Sequence, residues 1–264
     1  MSTPTHALRD CSTMLRRNLL HARRYPSLTL NLLLTPIMLL LLFVYVFGDT
    51  MSAGIAGGAP DRSAYIAYLV PGLLLMTIGS TTIGTAVSVS NDMTEGIIAR
   101  FRTMAIHRGS VIVGHVIGSV LQSVLSAVLV AAVAVAIGFR STHATPLEWL
   151  AALALLVGFA TALTWIAVGM GLVSPNAEAA SNNATPLILL PLLSSAFVPL
   201  HSMPGWFQPI AQYQPFTPAI ETLRGLLLGT GIGNNAWIAA AWCAGLTVLG
   251  YRWSTARFNS AATS

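Results

Sequence analysis

Six long stretches of this 264-residue chain contain no aspartate, glutamate, lysine or arginine. Each can supply the roughly 20 apolar residues that a helix needs to cross a hydrocarbon core. Inside a bilayer only helices and closed barrels satisfy every main-chain hydrogen bond, and these stretches lack the alternation of barrel strands. The sequence therefore predicts membrane-spanning helices. The stretches are residues 25–48, 63–91, 109–139, 149–177, 179–220 and 225–251.

The predicted fold class is an all-α polytopic membrane protein with six transmembrane helices. Its composition is 55% hydrophobic and 8% charged, whereas roughly 25% of the residues in soluble domains are charged. Because the length suggests no second, soluble unit, residues 1–264 are predicted to form a single transmembrane domain. The approximate cores of the six helices are residues 28–47, 64–88, 111–138, 147–173, 185–200 and 236–251.

The distribution of arginine predicts that both termini lie inside. With this orientation ten arginines fall on inner segments, and only Arg62, Arg140 and Arg224 fall on outer ones. This asymmetry is the one that the positive-inside rule describes. The net charge of +5 follows from the same asymmetry, so we expect no nucleic-acid partner.

The complete absence of lysine excludes one class of function. A Walker A phosphate loop requires a lysine that reaches the phosphates, so we expect neither ATP hydrolysis nor a bound cofactor in this chain. The six histidines show no metal-ligand spacing, and no G-x-S-x-G elbow is present. Apart from Glu148, the second residue of the fourth core, no acid falls inside a predicted span core, where ion-coupled transporters usually keep one. These features disfavour an intramembrane enzyme and an ion-coupled secondary transporter.

Residues 6–25 have the pattern of an amphipathic helix. Apolar residues share one face at 100° per residue, and five arginines crowd the opposite side. We expect this helix to lie flat on the inner membrane surface, with its arginines in water or near anionic lipid head groups. The alternative is a solvated cytoplasmic helix without membrane contact.

Residues 201–229 are predicted to lie outside, yet they are dense in aromatic residues and prolines. Trp206 and Phe207 fit an interfacial aromatic belt. In the last part of this segment a helical pattern returns, and Glu221 and Arg224 fall opposite its apolar side, where they are spaced to pair. We interpret the segment as a re-entrant hairpin between helices five and six. The alternative is a plain extracellular loop.

Polar residues inside the predicted spans are candidates for a substrate path. Gln122, Thr164 and Ser195 are chosen on polarity alone. A glutamine in a span can also hydrogen-bond across to a neighbouring helix, and small or hydroxyl residues allow close helix packing. Packing is therefore the favoured role, and substrate contact is the alternative.

A short charged segment, residues 91–110, interrupts the apolar chain and must lie in water, on the cytoplasmic side in the predicted orientation. Two acids three residues apart give it the spacing of a capping box at a helix start. Three apolar residues that follow are typical of a short helix that inserts into a groove on a partner. The alternative is a connector that only closes a hairpin. The candidate docking residues are Asp92, Glu95, Gly96, Ile97, Ile98, Arg100, Phe101 and Arg102.

Four stretches carry a family resemblance through their order and spacing. They are Tyr25-Pro26 with Pro36 and Phe47-Gly48, then Tyr68-Leu-Val-Pro71-Gly72, then Glu95-Gly96 with Phe101-Arg102-Thr103-Met104, Arg108 and Gly114, and finally residues 192–229. The resemblance extends over nearly the whole chain. The chain resembles the membrane-spanning subunits of ABC-2-type exporters, especially the daunorubicin-resistance-like permeases. Ala105 departs from the proline of many relatives, which leaves the end of the docking helix open.

The resemblance implies a permease subunit of an ATP-driven exporter that moves a hydrophobic or amphipathic compound, such as a drug or antibiotic, out across a bacterial cytoplasmic membrane by alternating access. It implies a second permease subunit, either a copy or a paralogue, and two separate ATP-binding subunits that hold ATP and Mg²⁺. Residues 6–25 would be the connecting helix, residues 91–110 the coupling helix, and residues 201–229 the re-entrant segment. Lipid or polysaccharide export by the same architecture is the alternative.

Overall fold

The computed structural model describes residues 26–48, 61–94, 108–141 and 144–260, and within these ranges the chain is helical without strands. The predicted interfacial helix at residues 6–25 and the predicted docking residues from 95 to 107 lie outside the described ranges. The helices are α1 Pro26–Leu41 with a π-helical turn Leu42–Val46, α2 Arg62–Thr94, α3 Arg108–Ile137, α4 Pro146–Val173, α5 Ala177–Ala184, α6 Pro186–Leu189 with a 3-10 turn Leu190–Leu193, α7 Gln208–Tyr213, α8 Phe216–Leu228 and α9 Asn235–Ser260.

α2 is the central helix of the fold. Asp61 caps its start, because its Oδ1 accepts hydrogen bonds from the Ser63 hydroxyl at 2.6 Å and from the main-chain N–H groups of Ser63 and Ala64. These bonds, the hydroxyl bond first, lower the pKa of the Asp61 carboxyl. The 33 residues of α2 extend over about 50 Å at 1.5 Å per residue. Residues 69–82 are all buried, because α1, α3, α4, α5 and α8 all pack against this helix.

Three helices of the described ranges, α2, α3 and α4, are long and apolar enough to cross a membrane. The predicted cores 64–88 and 147–173 fall inside α2 and α4, and the predicted core 111–138 ends one residue beyond α3. α1 contributes a shorter apolar helix, Leu34–Val46. The predicted core 236–251 falls inside α9. The predicted cores therefore locate these helices, although α2 continues six residues beyond its predicted core and α9 nine residues beyond its own.

The predicted fifth span, residues 185–200, has the wrong bounds. The helical part begins earlier, at α5, where the Asn176 side chain caps the helix by accepting a hydrogen bond from the Ala179 N–H at 2.8 Å. It ends in the 3-10 turn before Ser194, and residues 194–199 are not helical. The predicted charge-free run began only after Glu178. Glu178 nevertheless belongs to the first turn of α5, where an acid is favourable.

The end of the predicted outer segment is helical, as the pattern indicated. α8 contacts α2, α4 and α9, and ten of its thirteen residues are buried. The ring of Phe216 lies edge-on to that of Phe159 on α4, with 4.9 Å between centroids. Gly229 ends the helix in a left-handed conformation, with φ of 72°, which glycine adopts without a steric penalty. α8 is therefore an interior helix of this chain, packed against protein.

Candidate functional site: polar clusters at the two ends of α2

Arg224 lies at the centre of a buried cluster near the start of α2. Its Nη1 donates to Glu221 Oε1 at 2.6 Å, so the predicted Glu221–Arg224 pair is confirmed. The prediction that Arg224 lies on the side away from the packed face is wrong, because its side chain is only 7% exposed whereas that of Glu221 is 28% exposed. A buried guanidinium is strongly destabilising unless it is paired and hydrogen-bonded. The other contacts of Arg224 are therefore needed to stabilise its buried guanidinium.

The second terminal nitrogen of Arg224 links two other parts of the chain. Nη2 donates to the carbonyl oxygen of Tyr68 on α2 at 3.0 Å and to that of Ser195 at 3.1 Å. The guanidinium also stacks over the Tyr68 ring, with 3.7 Å from Cζ to the ring centroid, a favourable cation–π geometry. Arg224 thus joins α8, α2 and the non-helical segment after α6. We call Arg224, Glu221, Tyr68, Ser195 and Thr217 the arginine cluster.

Ser195 acts in this cluster through its main chain. Its carbonyl oxygen accepts a second hydrogen bond, from the Tyr68 hydroxyl at 2.9 Å, and its N–H donates to Thr217 Oγ1 at 3.3 Å. By contrast, Ser195 Oγ and Arg224 Nε are buried without a hydrogen-bond partner in the described part of the chain. Main-chain acceptors carry no residue-type signal, so the sequence did not indicate these contacts. Tyr68 entered the sequence argument only through the family resemblance.

The three candidate path residues, Gln122, Thr164 and Ser195, belong to three different segments of the fold. No hydrogen bond within the described ranges joins any two of them. Thr164 is fully buried on α4 and its Oγ1 has no partner among the described residues, whereas Gln122 is half-buried on α3. Their role as substrate contacts stays a prediction.

The aromatic pair of the predicted belt lies just before α7. Trp206 and Phe207 are in edge-to-face contact, with 5.5 Å between ring centroids. The Trp206 side chain is 75% exposed, and Phe207 is half-buried. An exposed tryptophan next to an apolar anchor suits a membrane interface, and this placement stays a prediction.

α2 also carries a buried row of hydroxyl groups that sequence reasoning missed. The hydroxyls of Thr77, Ser80 and Thr82 donate to carbonyl oxygens three or four residues earlier in the same helix. The Thr81 hydroxyl donates to the Ile78 carbonyl oxygen in the same way, and it also shares a hydrogen bond with Ser123 on α3 at 2.6 Å. Hydroxyls that bond back to their own helix satisfy themselves at little packing cost. The cross-helix bond fixes α2 against α3, and the run Ser80-Thr81-Thr82 was its signal in the sequence.

At the other end of α2, Asp92 pairs with His115 on α3. The distance from Asp92 Oδ2 to His115 Nε2 is 2.9 Å, and the two side chains are 9% and 14% exposed. The prediction that Asp92 begins a new helix as a capping residue is wrong, because α2 continues to Thr94 and Asp92 lies in its last turn. The pair joins the two helices that flank residues 95–107.

The remaining docking candidates lie outside the described ranges. They are Glu95, Gly96, Ile97, Ile98, Arg100, Phe101 and Arg102. Their docking role stays a prediction, as does that of Asp92. Within the described ranges no group of three or more His, Cys, Asp or Glu side chains is placed to hold a metal ion.

Replacing Asp92 by asparagine is expected to destabilise the chain by about 1 kcal/mol, since one hydrogen bond to a charged group is lost or weakened between α2 and α3. Thermal unfolding of the purified chain in detergent would measure the change. An unchanged unfolding temperature relative to the unsubstituted chain would show that the Asp92–His115 contact contributes nothing.

A known protein family matches most of this chain. A family model described as ABC-2 type transporter matches residues 9–228. This range includes the predicted docking segment and both polar clusters on α2.

Individual relatives agree with that match. The chain is 28% identical over 220 residues to the daunorubicin resistance ABC transporter permease protein DrrB1 of Streptomyces coeruleorubidus, which covers 83% of this chain and 75% of that protein. It is 25% identical over 190 residues to the probable doxorubicin resistance ABC transporter permease protein DrrC of Mycobacterium tuberculosis, in the strains CDC 1551 / Oshkosh and H37Rv. That alignment covers 66% of this chain and 64% of the mycobacterial protein.

Proposed function

Because this chain belongs to the ABC-2 type transporter family, we propose that it is the permease subunit of an exporter that moves a hydrophobic or amphipathic drug-like compound outward by alternating access. Members of this family are membrane transport subunits, and the ATPase of such systems is a separate chain. The family membership therefore implies an ABC ATP-binding partner, and this chain is not an enzyme by itself.

One observation carries the proposal: the family match extends over residues 9–228 and the relatives are permeases of drug resistance. The absence of lysine from the chain supports the division of labour, since ATP hydrolysis by a Walker A loop then requires another subunit. Lipid or polysaccharide export by the same architecture is the second candidate, because an apolar helical path suits those substrates as well.

The proposed architecture has six spans in a single domain, with both termini inside a bacterial cytoplasmic membrane. α2, α3 and α4 supply three spans on length and composition. We assign the first to α1, the fifth to α5 and α6 with their 3-10 turn, and the sixth to α9. Residues 201–229 would then form the re-entrant segment on the outer side, and residues 6–25 would contact lipid at the inner surface.

The proposed complex contains two permease subunits and two ATP-binding subunits, which dock at residues 91–110. The Asp92–His115 contact supports this assignment, because it joins the helix ends that flank the docking segment. Nucleotide binding by the docked subunits would then act directly on the ends of α2 and α3. A two-state rearrangement driven by nucleotide requires such a direct link.

Co-expression with an ABC ATP-binding subunit from the same genome, taken from an adjacent reading frame if one carries a Walker A motif, tests the proposal. We expect the two chains to copurify and to hydrolyse ATP, and inverted vesicles to accumulate daunorubicin when ATP is added. A Walker A lysine variant of the partner is the control. Uptake that persists in this control and disappears with an ionophore would overturn the proposal in favour of an ion-coupled transporter. ATP-driven movement of a fluorescent phospholipid but not of daunorubicin would favour lipid export.

A further inference from the structure

We propose that Arg224 is a positioning residue that seats residues 194–228 against α2, and that its release from α2 accompanies opening of the pathway to the outer side. The second part of the inference, on opening of the pathway, rests on the proposed function. The seating itself rests only on contacts within this chain. The proposed role of Arg224 includes no contact with substrate. Arg224 acts by holding in place the segments that it joins.

The first argument is that separate segments converge on one guanidinium. Arg224 belongs to α8, and its Nη2 bonds to carbonyl oxygens of Tyr68 on α2 and of Ser195 after α6. The Tyr68 hydroxyl donates to the same Ser195 carbonyl, so the two side chains together satisfy both acceptor positions of that oxygen. Removing the guanidinium would take one donor from each of these two carbonyl groups, while the Ser195 oxygen would keep its bond from the Tyr68 hydroxyl.

The second argument is that the cluster can separate without leaving an isolated charge. Glu221 and Arg224 both lie on α8, so their ion pair moves with that helix. Among the contacts of Arg224, the bond to the Tyr68 carbonyl oxygen and the stacking on the Tyr68 ring would break if α8 left α2, together with the packing between the two helices. An isolated buried guanidinium would be strongly unfavourable, and the shared helix avoids that state.

The third argument concerns the polar groups that the present state leaves unsatisfied. Arg224 Nε and Ser195 Oγ are buried without a partner in the described part of the chain. Each such group reduces the stability of the arrangement that buries it. Contact with water after separation would satisfy both groups. These unsatisfied groups reduce the free-energy difference between the seated and separated states, and a bound partner that favours the separated state would shift the population toward it.

Labelling of a cysteine at position 195 measures the seating. Ser195 is buried and its hydroxyl makes no hydrogen bond among the described residues, so Ser195→Cys removes no described contact. In a background with Cys11→Ser and Cys243→Ser, we expect slow reaction with a maleimide in membranes open on both sides. Adding Arg224→Gln is expected to raise the rate by about tenfold or more, because local opening exposes the thiol.

Two further variants decide whether Arg224 matters through its position. Arg140→Gln removes an exposed arginine whose hydrogen bonds are to nearby carbonyl oxygens of its own segment, and it should leave the rate unchanged. Arg224→Lys keeps the charge but lacks the planar fork, so it should give an intermediate rate. A rate in Arg224→Gln and Arg224→Lys equal to that in Arg140→Gln would overturn the seating role. Should Arg224→Gln fail to insert, the lysine variant alone decides.

The link to transport is tested in the copurified complex. With Arg224 present, trapping the ATP-binding subunits with ATP and vanadate is expected to raise the labelling rate of the cysteine at position 195 severalfold. With Arg224→Gln, the rate should be high with and without nucleotide. An unchanged rate in a complex that hydrolyses ATP would overturn the release step. A complex without ATPase activity would instead count against the proposed function, and the seating result would stand independently.

Discussion

Replacing Phe101 by aspartate is expected to weaken docking of the ATP-binding subunit by about 30-fold or more, so that drug efflux is lost while the chain still inserts in the membrane. Truncation of a buried aromatic anchor typically costs about 2 kcal/mol or more, which corresponds to that factor in affinity. The introduced carboxylate adds the free energy of burying an unpaired charge. Glu95→Arg is expected to act in the same direction by reversing a docking charge.

Phe101 is the aromatic member of the three predicted apolar anchors, Ile97, Ile98 and Phe101. It lies midway along residues 95–107 in the sequence, between Thr94 at the end of α2 and Arg108 at the start of α3. Aromatic residues, phenylalanine included, are enriched at protein interfaces, so Phe101 is the position to test.

Matched controls separate docking from general disturbance. Phe101→Leu keeps an apolar side chain and should retain most of the efflux. Thr230→Asp adds the same charge at an exposed position between α8 and α9 and should leave copurification unchanged. Copurification and efflux are measured in all variants, together with the amount of chain in the membrane. If both survive in Phe101→Asp and in Glu95→Arg, the docking assignment is wrong.

Replacing Gly72 by alanine is expected to destabilise the chain by about 1–3 kcal/mol, the usual range for overpacking a closely packed contact. A Cβ atom at this position would lie 2.6 Å from Ala196 Cβ and 2.7 Å from Ala196 Cα. The main chain of residues 194–199 would have to move away from α2. Because Ser195 belongs to that segment, the labelling rate of a cysteine at position 195 should also rise.

Gly84 provides the control on the same helix. A Cβ atom there meets no heavy atom within 4 Å, so Gly84→Ala should stabilise α2 by up to about 1 kcal/mol through helix propensity. Thermal unfolding in detergent would measure both variants. Opposite signs for the two changes are the expected result. A neutral or stabilising effect of Gly72→Ala would mean that the segment is not held against α2.

The helices were predictable where burial and charge change together along the chain. Long apolar runs bounded by charged residues began at residues 63 and 109, within one residue of the starts of α2 and α3. The same rule failed at two acidic residues whose surroundings accommodate the charge. Glu178 sits favourably in a first helical turn, and Asp92 is buried against His115, so neither marks the end of a helix.

The arginine cluster was only half predictable. The spacing of Glu221 and Arg224 on a helix indicated their ion pair, because residues three apart are neighbours on a helix surface. The burial of Arg224 had no signal, since its partners across the fold are the main-chain carbonyl groups of Tyr68 and Ser195. Any residue type can supply a carbonyl oxygen, so side-chain identity does not reveal such a contact.

The length of α2 gives the two clusters a mechanical relation. Tyr68 and Asp92 lie on the same unbroken helix, about 36 Å apart at 1.5 Å per residue. A tilt of only about 10° around the Asp92 end would carry the Tyr68 end sideways by about 6 Å. The bond from Arg224 to the Tyr68 carbonyl is 3.0 Å long, so it could not survive such a tilt unless α8 travelled with α2.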